Sequence, residues 1–316
     1  MNRATADGKR IDLARRGWRF LLRKTAAMKT AWVERQGRRS SVMILKTPPT
    51  TVDRHGVHEI HSLTCERDYL NLLWCLKTLF HYSTRAFNVV LHDDGSLSQR
   101  ALEQLRWHLT GVTIISRYEA DARVHDLMAR HNASRTFREV CPLARRIFDF
   151  PAFASKDRFL ILDSDVLFFG KPDTMLGLMD SGRLFFMSDY LDGYVFSRAE
   201  VQTRYGIDLI PAFNTGISYH AKAMFDYELI ETYCRDLVDR GLLTHPWSEQ
   251  LLFAMLFSRH QEGADRLPAN YGISRARLGP ATISHHFVND GSRGLFYNRG
   301  IPYLRRAGFL AAHERR

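Results

Sequence analysis

The sequence predicts an α/β domain whose sheet is mostly parallel and flanked by helices. Strand-like and helix-like segments alternate from residue 57 to residue 116 at the spacing of βα units. Residues 158–163 run Arg158, Phe159, Leu160, Ile161, Leu162, Asp163, too apolar to be exposed on either face. Such a strand belongs in the middle of a parallel sheet covered by helices on both sides. Length agrees, because 316 residues at 45% apolar and 12% aromatic content supply one large core of this kind.

Taken in order, residues 57–65 read as the first strand. Residues 68–81 follow as a helix with Leu70, Leu72, Leu73, Leu76 and Leu79 apolar. A second strand at 88–91 ends in His92, Asp93, Asp94 and Gly95. Ser96 or Ser98 caps the helix that runs to about residue 108, and residues 112–116 form a third strand. The stretch 118–150 is less regular and helix-prone. After the apolar strand at 158–163, a second apolar run resumes at 166–169. Strands are expected at 184–188, 213–219 and 283–288, and helices at 223–240 and 249–257. Without repeats or low-complexity segments, residues 46–316 read as one domain and residues 1–45 as a basic extension.

Charge is concentrated in that extension. Residues 1–40 hold 12 Lys and Arg against three acids, so +9 of the net +11 lies there and the remaining 276 residues carry +2. A nearly neutral body argues against a nucleic-acid partner, whose phosphates call for a basic folded surface. Over residues 11–33 apolar positions, including Trp18 and Trp32, recur at helical intervals among Arg15, Arg16, Arg19, Arg23, Lys24 and Lys29. A basic amphipathic helix follows, suited to an anionic membrane surface; a solvated or partner-packed extension and an organelle transit peptide are the alternatives. No apolar run approaches the roughly 18–20 residues needed to cross a bilayer. Four cysteines at wide spacing suggest neither a zinc site nor a disulfide framework, and with them a cytoplasmic location, peripheral on the membrane if the helix binds it.

The chemistry is expected at Asp163-Ser164-Asp165. Ligands of open α/β sheets bind beyond the carboxyl ends of strands, and here an apolar strand emerges into two carboxylates that can face one divalent cation. Because apolar residues resume at Val166, the acids are drawn out of free solvent and need a counter-charge.

This segment resembles the metal-binding Asp-x-Asp of the GT-A fold glycosyltransferases, which are Rossmann-like. Three further segments are similar to their retaining family of lipopolysaccharide galactosyltransferases and glycogenin: Phe213-Asn214-Thr215-Gly216-Ile217, Trp247-Ser248-Glu249-Gln250 and His286-Phe287. The four occur in the family's order, and the resemblance spans residues 57–304. The family's late His-x-x-Gly-x-x-Lys-Pro-Trp is altered, since Asn289 stands three residues after His286 and the nearest cation is Arg293, which suggests a divergent branch.

The resemblance implies Mn²⁺ or Mg²⁺ held by Asp163, Asp165 and His286, with His285 as the alternative imidazole. It implies Asp68 and Tyr69 at the nucleoside, and Arg293 and an upstream cation, Lys156, Arg145 or Arg146, at the phosphates. Asn214, Glu249 and Gln250 would orient the sugar. Retention of configuration is implied, and Glu249 acting as a general base for inversion stays open. The implied partners are a nucleotide sugar donor, UDP-linked by the family's habit, and a glycan or lipid-linked acceptor. Competing readings are a nucleotidyltransferase acting on sugar phosphates, disfavoured because residues 61–68 contain no glycine, a metal-dependent hydrolase, and a non-catalytic scaffold that binds membrane or nucleic acid. His58, His61, His81 and His131 are expected to be structural or exposed.

Overall fold

A computed structural model describes residues 37, 39–83, 85–260, 263–274, 276–288 and 293–314. The basic segment at 11–33 lies outside them. In chain order the elements are β1 (His58–Thr64), α1 (Tyr69–Tyr82), β2 (Phe87–Asp93), α2 (Gln99–His108) and β3 (Thr113–Ile115). The helix-prone stretch resolves into α3 (Arg117–Leu127), α4 (Asn132–Val140) and α5 (Arg145–Phe153). Then come β4 (Arg158–Leu162), β5 (Val166–Phe168), α6 (Asp173–Asp180), β6 (Leu184–Ser188), α7 (Arg198–Tyr205), β7 (Phe213–Ala221), α8 (Tyr227–Asp239) and α9 (Ser248–Ser258). The chain closes with β8 (Ala264–Arg266), β9 (Tyr271–Ile273), β10 (Ser284–His286), α10 (Ile301–Arg306) and α11 (Phe309–Glu314).

Local chemistry sets several boundaries. Ser98, the second of the two expected caps, starts α2 by accepting from Ala101 N–H at 3.2 Å. Ser116 and Glu119 form a reciprocal capping box on α3, satisfying two donors that the first turn would leave bare. Gly206 ends α7 in the left-handed region (φ 68°), which costs glycine little.

The main sheet has the order β8-β6-β7-β4-β1-β2-β3. Its members run parallel except β7, which is antiparallel to both neighbours. The apolar strand β4 stands at the centre with Phe159 to Leu162 fully buried, as its composition demands. One core lies against α1 and the C-terminal helices, and a second against α5, α8 and α9. A small second sheet, β9-β10-β5, pairs His286 antiparallel to Val166 and so brings the late histidine beside the residues that follow β4.

One irregularity shapes the site. Between β6 and β7 the register jumps from Phe186↔Ser218 to Met187↔Asn214, leaving Thr215, Gly216 and Ile217 without β6 partners. The bulge bends β7 where it passes the end of β4, and bulges of this kind re-aim side chains.

Candidate active site

The chain leaves β4 at Leu162 and turns through Asp163, Ser164 and Asp165 into β5. Asp163 N–H donates to Gly216 O (3.0 Å), and Phe287 N–H donates to Asp165 O (3.0 Å), so the turn is pinned from both sides. Asp163, Asp165 and His286 converge, each offering one ligand atom within 4.8 Å of the others; they are the one such group among the described residues. His286 Nε2 lies 3.0 Å from Asp165 Oδ1 and 3.6 Å from Asp163 Oδ2. Burial lowers the His286 pKa, but the charge and hydrogen bond of Asp165 and the charge of Asp163 outweigh it, and the net shift is upward.

Asn214 fixes the imidazole. Its Oδ1 accepts from Gly216 N–H (2.9 Å) and stands 2.9 Å from His286 Nδ1, while its Nδ2 donates to Asp189 Oδ2 at 3.0 Å. An oxygen that already accepts from a backbone N–H has only acceptance to offer the ring, so Nδ1 carries the proton and Nε2 faces the two aspartates. Gly216 is needed for this approach, because a Cβ there would overlap the His286 ring. His285 points elsewhere: its Nε2 is 3.0 Å from Ser274 O and its ring packs against Phe287. The structure thus brings His286, and not its neighbour, to the aspartates.

Arg146, near the start of α5, is buried and joins the cluster to the next element. It pairs with Asp163 through Nη1, and its Nη2 lies 2.8 Å from Glu249 Oε1. Burial pushes the Glu249 carboxyl up to about 7 and the charge of Asp163 adds to the rise, while Arg146 opposes it. Arg146 itself is raised, its two carboxylate partners overcoming desolvation. One guanidinium therefore serves Asp163 and Glu249 with Asp165 close by, which leaves the cluster short of positive charge. Gln250 Nε2 donates to Gly193 O (3.2 Å), tying α9 to the loop after β6.

These groups line a cleft of about 500 Å³ that also takes in Cys65, Asp68, Asp94, Tyr190 and Trp247. Asp68 forms an ion pair with Arg293 and a second with Arg67 at 3.1 Å, so two groups expected at opposite parts of a donor meet each other. Two expectations need correction. Tyr69 does not line the cleft; it packs on the core and donates from its hydroxyl to Gln104 Oε1 at 2.9 Å. Lys156 does not either, because it stands two residues before β4, at the sheet edge opposite Asp163, and a five-residue strand at about 3.3 Å per residue separates the two. Of the three upstream cations Arg146 reaches the aspartates, while Arg145 donates to Asp94 O at 2.8 Å. Asp189 was not among the expected site residues. Arg146 carried one available signal, a charge at the head of a segment whose following residues, Ile147, Phe148 and Phe150, are core aliphatics and aromatics.

No family model matches the chain, and no curated protein matches it by sequence. Among solved structures it is similar to mouse xyloside xylosyltransferase 1 in its apo form, at TM-score 0.51 and 11% identity, over 75% of this chain and 97% of that one. The fold is GT-A. Weaker GT-A likenesses are to the galactosyltransferase LgtC in complex with donor and acceptor sugar analogs (TM-score 0.48, 15% identity, 80% of this chain and 95% of that one) and to core-mannan synthase A from Aspergillus fumigatus in its Mn/GDP form (TM-score 0.45, 9% identity, 70% and 75%). No helix among the described residues is long and apolar enough to cross a membrane.

Proposed function

We propose that the protein is a metal-dependent glycosyltransferase that moves a sugar from a nucleotide diphosphate sugar, UDP-linked in the first instance, to a glycan or glycolipid acceptor. The convergence of Asp163, Asp165 and His286 at the carboxyl end of the central parallel strand carries this reading, and the GT-A fold supports it. The donor set fits Mn²⁺ or Mg²⁺: two carboxylates and an imidazole whose Nδ1 proton is held by Asn214, inside a cluster with more carboxylates than cations. Such a dication, when bound, neutralises the diphosphate and acts as a Lewis acid on the leaving group.

The protein's own residues do the rest by position. Arg146 holds Asp163 and Glu249 in fixed relation. Asn214 and Asp189 hold His286, so Asn214 serves the sugar indirectly. Glu249 and Gln250, on the first turn of α9 and on the cleft wall, orient the donor sugar. Asp68 is assigned to the nucleoside, and Arg293, its ion-pair partner, to the phosphate next to it. Retention is the preferred outcome, on the likeness of the Asn214 strand and the Glu249-Gln250 pair to the retaining family; Glu249, raised to about 7 by burial, is the base that inversion would use. Residues 11–33 are read as a basic helix that rests on an anionic membrane surface; the catalytic unit begins before the expected residue 46, because Ile44 is buried in the core and Ser41 Oγ donates to Asn71 Oδ1 at 3.2 Å.

A donor-hydrolysis screen over nucleotide sugars with and without Mn²⁺ tests this. We expect slow, EDTA-sensitive release of the nucleotide from one donor, lost in Asp165→Ala. Hydrolysis indifferent to EDTA and to Asp165→Ala contradicts it. Flotation with anionic vesicles tests the extension, since deletion of residues 1–40 should abolish co-migration.

A further inference from the structure

The strand order divides the cleft. Leu63, Cys65 and Asp94 lie at or beyond the carboxyl ends of β1 and β2, on one side of β4, whereas Tyr190 follows β6 on the other side, past β7. Trp247 belongs to Tyr190's side, because Gln250, on the same turn of chain, is hydrogen-bonded to Gly193 of the loop that carries Tyr190. The metal-ligating cluster stands between the two ends.

The far end is built differently from the nucleoside end. Tyr190 is 66% exposed, Trp247 43% and Leu191 37%, yet all three line the cleft. Exposed aromatic residues lining a cleft that also holds carboxylates mark a binding surface. The backbone is anchored at both positions. The main-chain N–H of Trp247 donates to His245 Nδ1 (3.2 Å), and the Trp247 ring meets the His245 ring edge-on at 5.5 Å. Tyr190 N–H donates to Asp189 Oδ1 (2.7 Å), and Asp189 in turn holds Asn214 and through it His286. Trp247 stands two residues before Glu249. Both aromatics are therefore indexed to the groups that would surround the reacting carbon.

Resting on the donor reading above, we propose that Tyr190 and Trp247 form the acceptor subsite, taking the C–H face of a saccharide ring against their aromatic faces with its hydroxyl edge turned toward Glu249. A pyranose suits this surface because one molecule carries an apolar face for the rings and hydroxyls for the polar wall.

Saturation-transfer NMR on the full-length protein tests the subsite with methyl and octyl glycosides of glucose, galactose, mannose and N-acetylglucosamine as probes, and calorimetry follows UDP binding in the presence of Mn²⁺. We expect transfer to ring C–H protons of at least one glycoside. Affinity should drop about tenfold or more in Trp247→Ala and in Tyr190→Ala and be largely restored in Trp247→Phe, with UDP affinity within about twofold of wild type throughout. An octyl glycoside about tenfold tighter than its methyl counterpart, through Leu191, identifies a lipid-linked acceptor; equal binding identifies a free saccharide. Glycoside binding unchanged in the double alanine variant, no transfer to any glycoside, or loss of UDP affinity alongside glycoside affinity overturns the proposal. Failure of UDP to bind the wild type defeats the donor reading alone, and the glycoside measurements still decide the subsite.

Discussion

Glu59 and Glu249 are both buried glutamates near basic or titratable side chains, yet Glu59 is lowered to about 2 whereas burial pushes Glu249 up to about 7. Burial raises Glu59 as well, but His61, Asn88 Nδ2, Ser155 N–H and the Ser155 hydroxyl all supply hydrogen bonds to it. Glu249 has a shared guanidinium that lies 2.8 Å from Oε1 without an aligned hydrogen bond. Histidines diverge in the same way. Burial lowers His61 and His92, which are bonded to each other at 2.9 Å, whereas His286 is raised by its aspartates. One cluster sits within β1 and β2 and closes on itself; the other sits beyond the end of β4 and is left short of positive charge. Residue type alone does not separate structure from chemistry, and place along the strand does.

Breaking either side of this contrast should have opposite effects. Asp165→Ala should cut metal-dependent donor hydrolysis by about 10²–10³-fold while leaving the melting temperature equal or higher, as measured by hydrolysis assay and calorimetry. Glu59→Ala should do the reverse, lowering stability by about 3–5 kcal/mol in denaturant titration, because buried donors lose their acceptor, with hydrolysis per folded molecule retained. Asn214→Leu should weaken Mn²⁺ binding about 10–100-fold and leave His286 Nδ1–H without its acceptor, a change that ¹⁵N NMR of the imidazole reads directly.

A smaller effect sharpens the closed half. His220 is fully buried among phenylalanines and burial lowers it to about 3. A folded pKa below the unfolded 6.5 means that the unfolded chain takes up the proton first. The resulting destabilisation is absent above about pH 6.5, grows as pH falls, and is complete near pH 3, at about 1.4 kcal/mol per pH unit. Replacing His220 with Phe should flatten that part of the stability profile by this slope. Smallest of all, Lys156→Ala should leave hydrolysis within about twofold of wild type.

Much of the frame was legible because its signals are local. The apolar strand at 158–163, the Ser98 cap and the strand at Leu184–Ser188 follow from composition and short-range chemistry. A strand over 283–288 is expected and β10 lies within it, but the helix at Asp173–Asp180, the strand β9 and the joining of β9, β10 and β5 into one small sheet do not follow from the sequence, since short segments of mixed polarity acquire their form only by packing against the rest. At the site, Asp163, Asp165 and His286 could be named because the resemblance supplied the pairing across 120 residues. Tyr69 and Lys156 were misassigned for one reason: proximity in sequence to a site residue does not say which face of a helix or which end of a strand a side chain occupies. Asp189 escaped notice because its partner, Asn214, is reached only through the bulge in β7.

The central claim is that Asp163, Asp165 and His286 Nε2 hold one dication between them. A crystal grown with Mn²⁺ and UDP, measured for anomalous scattering at the manganese edge, tests it most directly. The account predicts a single peak at about 2.0–2.6 Å from all three side chains with the UDP diphosphate beside it. A peak elsewhere, or one that leaves His286 bonded to Asn214 but remote from the metal, would contradict it.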